Sequence, residues 1–267
     1  MTSRTYDAVL LDIEGTTTPI SFVRDVLFPY VKHNIRGFLE TGWEDPEVQK
    51  HVHAIAKQAN DDVRAGISSA VEINIDGPHA DSAEEVRQKV LLNIEWQMKS
   101  DRKIGALKAL QGCIWRAGYE SGQLQGVMFP DAVEAIRRWT AAGLKVFIYS
   151  SGSIEAQKLI FGFSDHGNML QYISGHFDTT TGPKIASSSY TAIADKIGVA
   201  PERILFVSDI ILEIRAAEKA GMQTMLSVRP GNAPVDAGSF QTCSDFTTIP
   251  LSLPKASRTD PECSVEE

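Results

Sequence analysis

The sequence predicts an α/β protein with a doubly wound, Rossmann-like parallel sheet and a helical segment inserted after the first strand. Three observations support this fold class. An apolar run rich in strand-forming residues stands near the start, about a hundred residues of helical periodicity follow, and short apolar runs then alternate with helices. Strands that alternate with helices pair in parallel, because each helix connects two strands across one face of the sheet.

The first strand is predicted in "YDAVLLDI" (residues 6–13), because an unbroken apolar run is typical of a strand that is buried on both faces. Residues 21–126 have apolar positions three and four residues apart, as at Val86, Val90, Ile94 and Met98. This spacing predicts a helical bundle, in which residues 73–82 form a turn and residues 103–119 form another helix. Pro29 is expected to break or kink the first helix, since proline lacks the N–H group that a helix interior needs.

The second half of the chain is predicted to complete the sheet. A helix at 129–143, ended by Gly143, precedes three further strands, at 144–150, 203–208 and 222–228. The helices between these strands are predicted at 153–162, 187–198 and 210–221.

The order of these elements divides the chain into a core and an insertion. The α/β core is predicted to comprise residues 1–20 and 127–250, and the helical domain is predicted to comprise residues 21–126. Residues 251–267 are predicted to be a disordered tail, because Pro, Ser, Thr and charged residues dominate there.

Composition and charge exclude several classes of protein. With 43% hydrophobic residues among 267, the chain can bury a substantial core, and its formal net charge of −8 argues against nucleic-acid binding. Neither a secretory signal nor a run of about 18 apolar residues is present, so no membrane association is expected. A cytoplasmic protein is expected, with an additional nuclear pool left open. Since no heptad pattern suggests an obligate assembly, the chain is expected to be a monomer.

The cysteines and histidines have no familiar metal-binding spacing. Cys113, Cys243 and Cys263 include no CxxC pair, so reduced thiols are expected rather than a disulfide framework or a zinc site. The six histidines include no HExxH pattern and are expected to be surface groups or hydrogen-bonded polar groups.

Polar residues follow the predicted strands at their carboxyl ends, which is where ligands bind in an open parallel sheet. They are Asp12 and Glu14 after the first strand, Ser150, Ser151 and Gly152 after the second, Lys184 in a later loop, and Asp209 after the strand at 203–208. One edge of the sheet therefore collects carboxylates, hydroxyls and an ammonium group. Taken singly, these features have ordinary explanations, since the serines could cap the next helix and the lysine could be a solvated loop residue.

The segment "LLDIEGTTTP" resembles the first signature of the haloacid dehalogenase-like superfamily of phosphotransferases. In that signature a nucleophilic aspartate is followed two residues later by a second acid and then by Gly-Thr. The features at Ser151, Lys184 and Asp209 resemble the later signatures in order. The segments "LDIEGTTTPI", "DRK…LQG…W", "YSSGS…AQKLIFG" and "VRPGNA" are further similar to the enolase-phosphatase (acireductone synthase) family of methionine salvage, in which a glutamate, here Glu14, replaces the aspartate usual in the superfamily.

Phosphate monoester chemistry suggests catalytic roles for the two acids of this segment. The oxygens of the ester repel an anionic nucleophile, so a catalyst must neutralise charge, align an attacking oxygen and protonate the leaving group. Asp12 is the candidate nucleophile, which would form an aspartyl-phosphate that water then hydrolyses. Glu14 is the candidate acid and base, since the resemblance implies that its side chain would protonate the leaving oxygen and later activate water.

One Mg²⁺ per chain is the expected cofactor. This hard cation favours oxygen ligands, and it would relieve the repulsion between neighbouring carboxylates and the phosphate. Asp12 and Asp209 are the expected carboxylate ligands. The resemblance implies that the backbone carbonyl of Glu14 is a further ligand, which leaves the glutamate side chain available for proton transfer.

The phosphate group is expected to bind hydroxyl and ammonium groups. Ser150 or Ser151 can donate a hydrogen bond to a phosphate oxygen, and the case for Ser151 rests mainly on the resemblance. Lys184 would supply a positive charge opposite the cation. Glu213 lies four residues after Asp209 on the same helical face, where it could bind a metal-bound water or hold Lys184 in place.

The resemblance implies a haloacid dehalogenase-like core whose helical insertion forms a cap that excludes water and selects the substrate. It also implies a bifunctional activity on a small phosphorylated molecule: enolisation of 2,3-diketo-5-methylthiopentyl-1-phosphate, followed by dephosphorylation to the acireductone. Two alternatives stay open at this point. The chain could be another Mg²⁺-dependent small-molecule phosphatase or phosphomutase of the superfamily, or an inactive scaffold protein that retains the fold.

Overall fold

A computed structural model describes residues 6–249, so the predicted tail at 251–267 lies outside the described residues. The described residues form a parallel sheet of six strands in the order β3-β2-β1-β4-β5-β6. The strands are β1 (Ala8–Leu11), β2 (Lys145–Tyr149), β3 (Gly175–Phe177), β4 (Ile204–Ser208), β5 (Gln223–Ser227) and β6 (Thr242–Cys243). This sheet and its flanking helices confirm the predicted α/β fold class.

The helices connect the strands in two unequal sets. The connection from β1 to β2 contains α1 (Ile20–Phe22), a π-helical turn (Val23–Leu27), α2 (Phe28–Thr41), α3 (Pro46–Arg64), α4 (Ala83–Lys99), α5 (Gly105–Glu120) and α6 (Pro130–Ala141). The later connections contain α7 (Ile154–Gly162), α8 (Ser187–Ile197) and α9 (Ile211–Lys219). Short 3₁₀ turns lie at Leu170–Tyr172, Pro201–Arg203 and Phe246–Thr248. In the described part of the chain, no helix combines the length and the apolar character that crossing a membrane requires.

Local sequence signals explain where several helices begin and end. The Asp45 side chain accepts a hydrogen bond from the backbone N–H of Glu47 at the start of α3. Ser82 and Glu85 form a reciprocal capping box at the start of α4. Gly198 ends α8 in the left-handed region (φ 72°), where glycine avoids the steric cost of a side chain. Each of these groups satisfies backbone donors or acceptors that a helix end leaves unpaired.

The sheet separates two hydrophobic clusters. Val9 and Leu11 of β1 face one cluster and Ala8 and Leu10 face the other, as the alternation of side chains along a strand requires. The first cluster continues from the sheet into the helices that follow β1, where it includes Val31, Ile55 and Val90. The inserted helices and this face of the sheet therefore share one continuous core.

Two features of the fold differ from the sequence prediction. The short edge strands β3 and β6 were not predicted, because segments of three and two residues carry too little periodicity to identify. Of the break or kink expected at Pro29, a break is not observed, since Pro29 lies in the first turn of α2 and the helical path continues through it. The irregularity lies immediately before it, in the π-helical turn Val23–Leu27, where the wider backbone accommodates a proline that lacks a donor.

His176 of β3 makes the stability of the fold sensitive to acid. Its Nδ1 lies 3.1 Å from Gln157 Oε1, its ring packs edge-on against Phe161, and burial lowers the pKa of His176 to about 4. An unfolded histidine has a pKa of about 6.5, so between these values the unfolded state binds more protons and acid favours unfolding. We expect the free energy of unfolding to fall by about 2 kcal/mol between pH 7 and pH 5 through this residue alone.

Urea unfolding of the His176→Gln variant at both pH values measures this contribution. The variant should lose less stability on acidification than the parent protein does. His53→Gln, at an exposed position of α3, is the matched control and should behave like the parent. An acid sensitivity in His176→Gln equal to that of the parent would contradict the assignment.

Candidate active site at the carboxyl ends of the strands

The loop after β1 holds Asp12 in a fixed position at the centre of the sheet. Strand β1 lies between β2 and β4, so Asp12 stands at the point where the strand order reverses. The backbone N–H of Asp12 donates to the carbonyl of Val207 at 3.0 Å. Its carboxylate accepts hydrogen bonds from the backbone N–H of Ile13 at 2.8 Å and from the hydroxyl of Ser208 at 3.1 Å. The carboxylate is buried and held in place on both oxygens.

Lys184 joins Asp12 to Glu213 in a buried ionic network. Lys184 Nζ lies 2.7 Å from Asp12 Oδ1 and 2.7 Å from Glu213 Oε2, and its side chain is 8% exposed. The Ser208 hydroxyl lies 2.8 Å from the same Glu213 oxygen. Burial opposes the positive charge, but the charges of Asp12 and Glu213 outweigh it and raise the pKa of Lys184. Two roles were considered for Glu213, and the observed contact supports the one in which it holds Lys184 in place.

Asp209 follows β4 and approaches the β1 loop closely because residue 15 is a glycine. A Cβ atom at Gly15 would lie 2.5 Å from Asp209 Oδ2, and its φ of +67° also favours glycine. Asn232 Nδ2 donates to the carbonyl of Gly15 at 2.9 Å and lies 3.4 Å from Asp209 Oδ2. Burial and the charge of Asp12 raise the pKa of Asp209 to about 7. This part of the site is therefore short of positive charge.

The atoms around Asp209 fit a hard divalent cation. Asp12 and Asp209 supply carboxylate oxygens, which are the ligands that Mg²⁺ prefers. The side-chain oxygen of Asn232 is buried and has no hydrogen-bond partner, although buried acceptors are almost always paired. A cation held by these carboxylates would neutralise their charge, and the absence of a side chain at Gly15 lets Asp209 and the orphaned amide oxygen of Asn232 lie close to the β1 loop.

The loop after β2 presents two serines beside this centre. Ser150 is buried, its backbone N–H donates to the carbonyl of Phe177, and its Oγ accepts from the backbone N–H of Gly152 at 3.2 Å. Ser151 is exposed to the cavity in front of the strands. Ser153 caps α7, because its Oγ accepts a hydrogen bond from the backbone N–H of Ala156. The hydroxyl protons of Ser150 and Ser151 are therefore both available to an oxyanion.

A cavity of about 370 Å³ lies between the strand ends and the inserted helices. Glu14 and both serines line its floor. Burial and the nearby charge of Asp12 raise the pKa of Glu14, which favours the protonated form that an acid catalyst needs. The opposite wall comes from the inserted segment and combines apolar side chains with charged or polar ones. The apolar ones include Val23, Leu27, Phe28, Met98 and Trp115, and the others are Asp101, Arg102, Lys103, Lys108 and Gln111. The cavity thus combines polar groups that suit a phosphate with apolar side chains.

Three cavity or site residues were not singled out from the sequence. Lys103 and Lys108 line the cavity, and Lys108 Nζ donates to the carbonyl of Ser151 at 2.9 Å, which ties α5 to the β2 loop. Asn232 was quoted only as part of the segment "VRPGNA" and was given no role. A usable signal for Lys108 existed in its spacing, because Lys108, Gln111 and Trp115 share one face of a predicted helix that is otherwise apolar.

The Arg229 side chain holds the loop after β1 in place. Its side chain is 2% exposed and lies between the rings of Phe129 and Phe246. Its Nε donates to the carbonyl of Thr16 at 3.1 Å, and its Nη1 donates to Asp131 Oδ2 at 2.7 Å. The hydrogen bond to Thr16 supports the turn that carries Glu14 and Gly15.

Replacing Arg229 with Met should lower the free energy of unfolding by about 3 kcal/mol, because it leaves the Asp131 carboxylate without its cation in a partly buried site. Equilibrium urea unfolding measures the loss. Arg215→Met, at an exposed position of α9, is the matched control and should change stability by less than about 0.5 kcal/mol. Equal stabilities of the two variants would contradict the structural role of Arg229.

Comparison with known proteins identifies the family of the chain. A model of the haloacid dehalogenase-like hydrolases matches residues 6–221. Enolase-phosphatase E1 of Xenopus tropicalis is 49% identical over 241 residues, which cover 90% of this chain and 92% of the relative. The crystal structure of the Unknown transcript 4 protein of Saccharomyces cerevisiae is similar with a TM-score of 0.74 and 35% identity, covering 92% of this chain and 100% of that one.

In a plant relative, the similar region is one part of a longer protein. The probable bifunctional methylthioribulose-1-phosphate dehydratase/enolase-phosphatase E1 of Oryza sativa is 47% identical over 243 residues, which cover 90% of this chain and 46% of the relative. The matches therefore extend over nearly the whole described chain, at identities that establish common descent. The chain belongs to the haloacid dehalogenase-like hydrolase family and, within it, to the enolase-phosphatase E1 family of phosphatases.

Proposed function

We propose that the protein is a Mg²⁺-dependent enolase-phosphatase that converts 2,3-diketo-5-methylthiopentyl-1-phosphate to the acireductone in methionine salvage. The observation that carries the proposal is the buried ion pair of Asp12 with Lys184 at the strand ends. Glu14, two residues after Asp12, lines a cavity that also contains both serines and apolar side chains of the inserted segment. The name of the rice relative supports the substrate. Loss of water from methylthioribulose 1-phosphate gives a diketone phosphate with the same carbon chain, which is the compound that the enolase step would consume.

In the phosphatase step, the two acids of the β1 loop have separate roles. An oxygen of Asp12 attacks phosphorus, the ester P–O bond breaks, and the protonated Glu14 gives its proton to the leaving oxygen. Glu14 then takes a proton from water, which attacks the aspartyl-phosphate and releases inorganic phosphate. The raised pKa of Glu14 suits the first half of this cycle. Lys184 and the hydroxyl of Ser150 or Ser151 would bind the phosphoryl oxygens.

Asp12, Asp209 and the backbone carbonyl of Glu14 would hold one Mg²⁺ per chain. When bound, the cation would neutralise charge on the phosphoryl oxygens and polarise the ketone oxygen during enolisation. The close approach of Asp209 to Gly15 and the orphaned oxygen of Asn232 support this position. Lys184 would balance the remaining negative charge from the opposite side.

Residues 21–126 would act as a cap domain over a core made of residues 1–20 and 127–250. The apolar side chains of Val23, Leu27, Phe28, Met98 and Trp115 would receive the methylthio end of the substrate. Burial of that end would exclude water from the polar groups of the cavity. We further propose that the protein acts as a cytoplasmic monomer, with a nuclear pool left open, and that it does not bind nucleic acid.

A substrate panel with the purified protein tests the proposal. We expect enol formation and phosphate release from the diketone phosphate in Mg²⁺, and no phosphate release after the cation is removed with a chelator. Faster hydrolysis of ribose 5-phosphate or glucose 6-phosphate than of the diketone would favour the alternative of another phosphatase or phosphomutase. An absence of metal-dependent turnover for any phosphomonoester would favour the inactive scaffold.

A further inference from the structure

A second group of metal-ligating side chains lies on the inserted helices, apart from Asp12 and Asp209. Glu47 and His51 are one turn apart on α3, and Cys113 faces them from α5, which packs against α3. Cys113 Sγ lies 3.0 Å from His51 Nε2 and 3.7 Å from Glu47 Oε1. The ligand atoms of all three residues lie within 4.8 Å of one another, which makes them the candidate metal-ligating group in the described part of the chain.

We propose that Glu47, His51 and Cys113 bind a divalent cation of the zinc class. Thiolate, imidazole and carboxylate are the three ligand types that zinc binds, and three protein ligands leave one tetrahedral position for water. The donor set separates this site from the Asp12 centre, where the ligands are oxygens and Mg²⁺ is expected. The site would join α3 to α5 on the inserted segment.

The spacing of the donors needs only a small adjustment to bind a cation. Bonds of about 2.3 Å to sulfur and about 2.0 Å to nitrogen, at a tetrahedral angle, place the two donors about 3.5 Å apart. The observed 3.0 Å between Cys113 Sγ and His51 Nε2 therefore has to widen by about half an ångström. Rotation of the half-buried His51 side chain provides this, and the exposed Glu47 side chain can adjust with it.

The surrounding charges are compatible with binding. Arg116 Nη1 lies 3.2 Å from Glu47 Oε1, but Arg116 also pairs with Glu155, so its charge is shared between two carboxylates. Burial lowers the pKa of His51, which leaves the imidazole neutral and able to bind. Burial raises the pKa of Cys113 to about 11, so the cation has to displace the thiol proton. Binding therefore breaks the S–H bond of Cys113, a proton leaves to solvent, and the sulfur electron pair bonds the cation without any redox change.

Titration with Co²⁺ tests the site, since Co²⁺ replaces zinc and gives a near-ultraviolet charge-transfer band only when a thiolate is bound. The full chain is titrated in excess Mg²⁺, which occupies the oxygen-ligand centre. We expect the band in the parent protein, its loss in Cys113→Ser, and its retention in Cys243→Ser and Cys263→Ser. Cys243 is a buried thiol like Cys113, and is the matched control.

A second pair of variants covers the case in which Cys113→Ser folds poorly. His51→Asn should raise the Kd for Co²⁺ by roughly tenfold or more, whereas His53→Asn, two residues along α3 and exposed, should not change it. The proposal is overturned if the parent gives no thiolate band, if the band persists in Cys113→Ser, or if the two histidine variants have the same Kd. All of these readouts are independent of phosphatase turnover, so failure of this site leaves the proposed function standing.

Discussion

Replacing Asp12 with Asn should reduce phosphate release from the diketone phosphate by roughly 10⁴-fold or more. The amide removes the anionic oxygen that would attack phosphorus, and no other carboxylate has the same position. Glu14 lies farther along the loop in the cavity floor, Asp209 lies beside Gly15, and Glu213 contacts the far side of Lys184. The change keeps the size of the side chain, so the hydrogen bond from Ser208 can persist.

Comparison with Glu14→Gln separates nucleophilic attack from proton transfer. Burst kinetics should show no covalent phosphoryl-enzyme in Asp12→Asn. In Glu14→Gln, the burst should persist for a substrate with a good leaving group, because Asp12 can then attack without an acid. Urea unfolding of both variants controls for folding. Appreciable phosphate release by Asp12→Asn would exclude Asp12 as the nucleophile.

The central strands could be predicted from the sequence because burial on both faces leaves a continuous apolar run. Strand β1 lies within the predicted 6–13 and β4 within the predicted 203–208. Strand β3 could not be predicted in this way, since Gly175 and His176 give it neither an apolar run nor strict alternation. The pairing of Phe177 with Tyr149 and the packing of its neighbours define it instead, and these contacts arise only after the chain has folded.

The residues of the candidate site also differ in whether the sequence predicts their contacts. Asp12 and Asp209 could be placed together from sequence because they follow β1 and β4, which pair directly. The contact of Lys184 with Asp12 depends on a long loop, and its partner Glu213 could only be placed on a helical face. Lys108 reaches the site from the inserted helices, and no sheet rule relates α5 to the β2 loop. Strand order therefore predicts that Asp12 and Asp209 lie close together, whereas the contacts of Lys184, Glu213 and Lys108 depend on loop and helix packing.

The charges at the strand ends indicate what Lys184 contributes. Asp12, Asp209 and Glu213 bring three carboxylates to one buried region, and Lys184 is the cation in direct contact with two of them. Burial and the charge of Asp12 raise the pKa of Glu213 to about 7, as they do for Asp209. The region is therefore arranged to accept further positive charge, and loss of the ammonium group should affect both folding and catalysis.

Replacing Lys184 with Met should lower the free energy of unfolding by about 3–5 kcal/mol, because two buried carboxylates lose their shared cation. Phosphate release should fall by roughly 10³-fold, since the phosphoryl oxygens lose a fixed positive charge. Adding Glu213→Gln to this variant distinguishes the two effects. The amide removes one unpaired carboxylate, so the double variant should recover much of the stability measured in urea.

Turnover should not recover in the double variant, because an amide at position 213 supplies no charge to the phosphate. Lys196→Met, at an exposed position near the end of α8, is the matched control and should change neither quantity. If the double variant regained turnover together with stability, the contribution of Lys184 would be limited to keeping Asp12 and Glu213 folded in place. If stability recovered alone, the ammonium group would act on the phosphoryl oxygens, as the contact between Lys184 and the Asp12 carboxylate predicts.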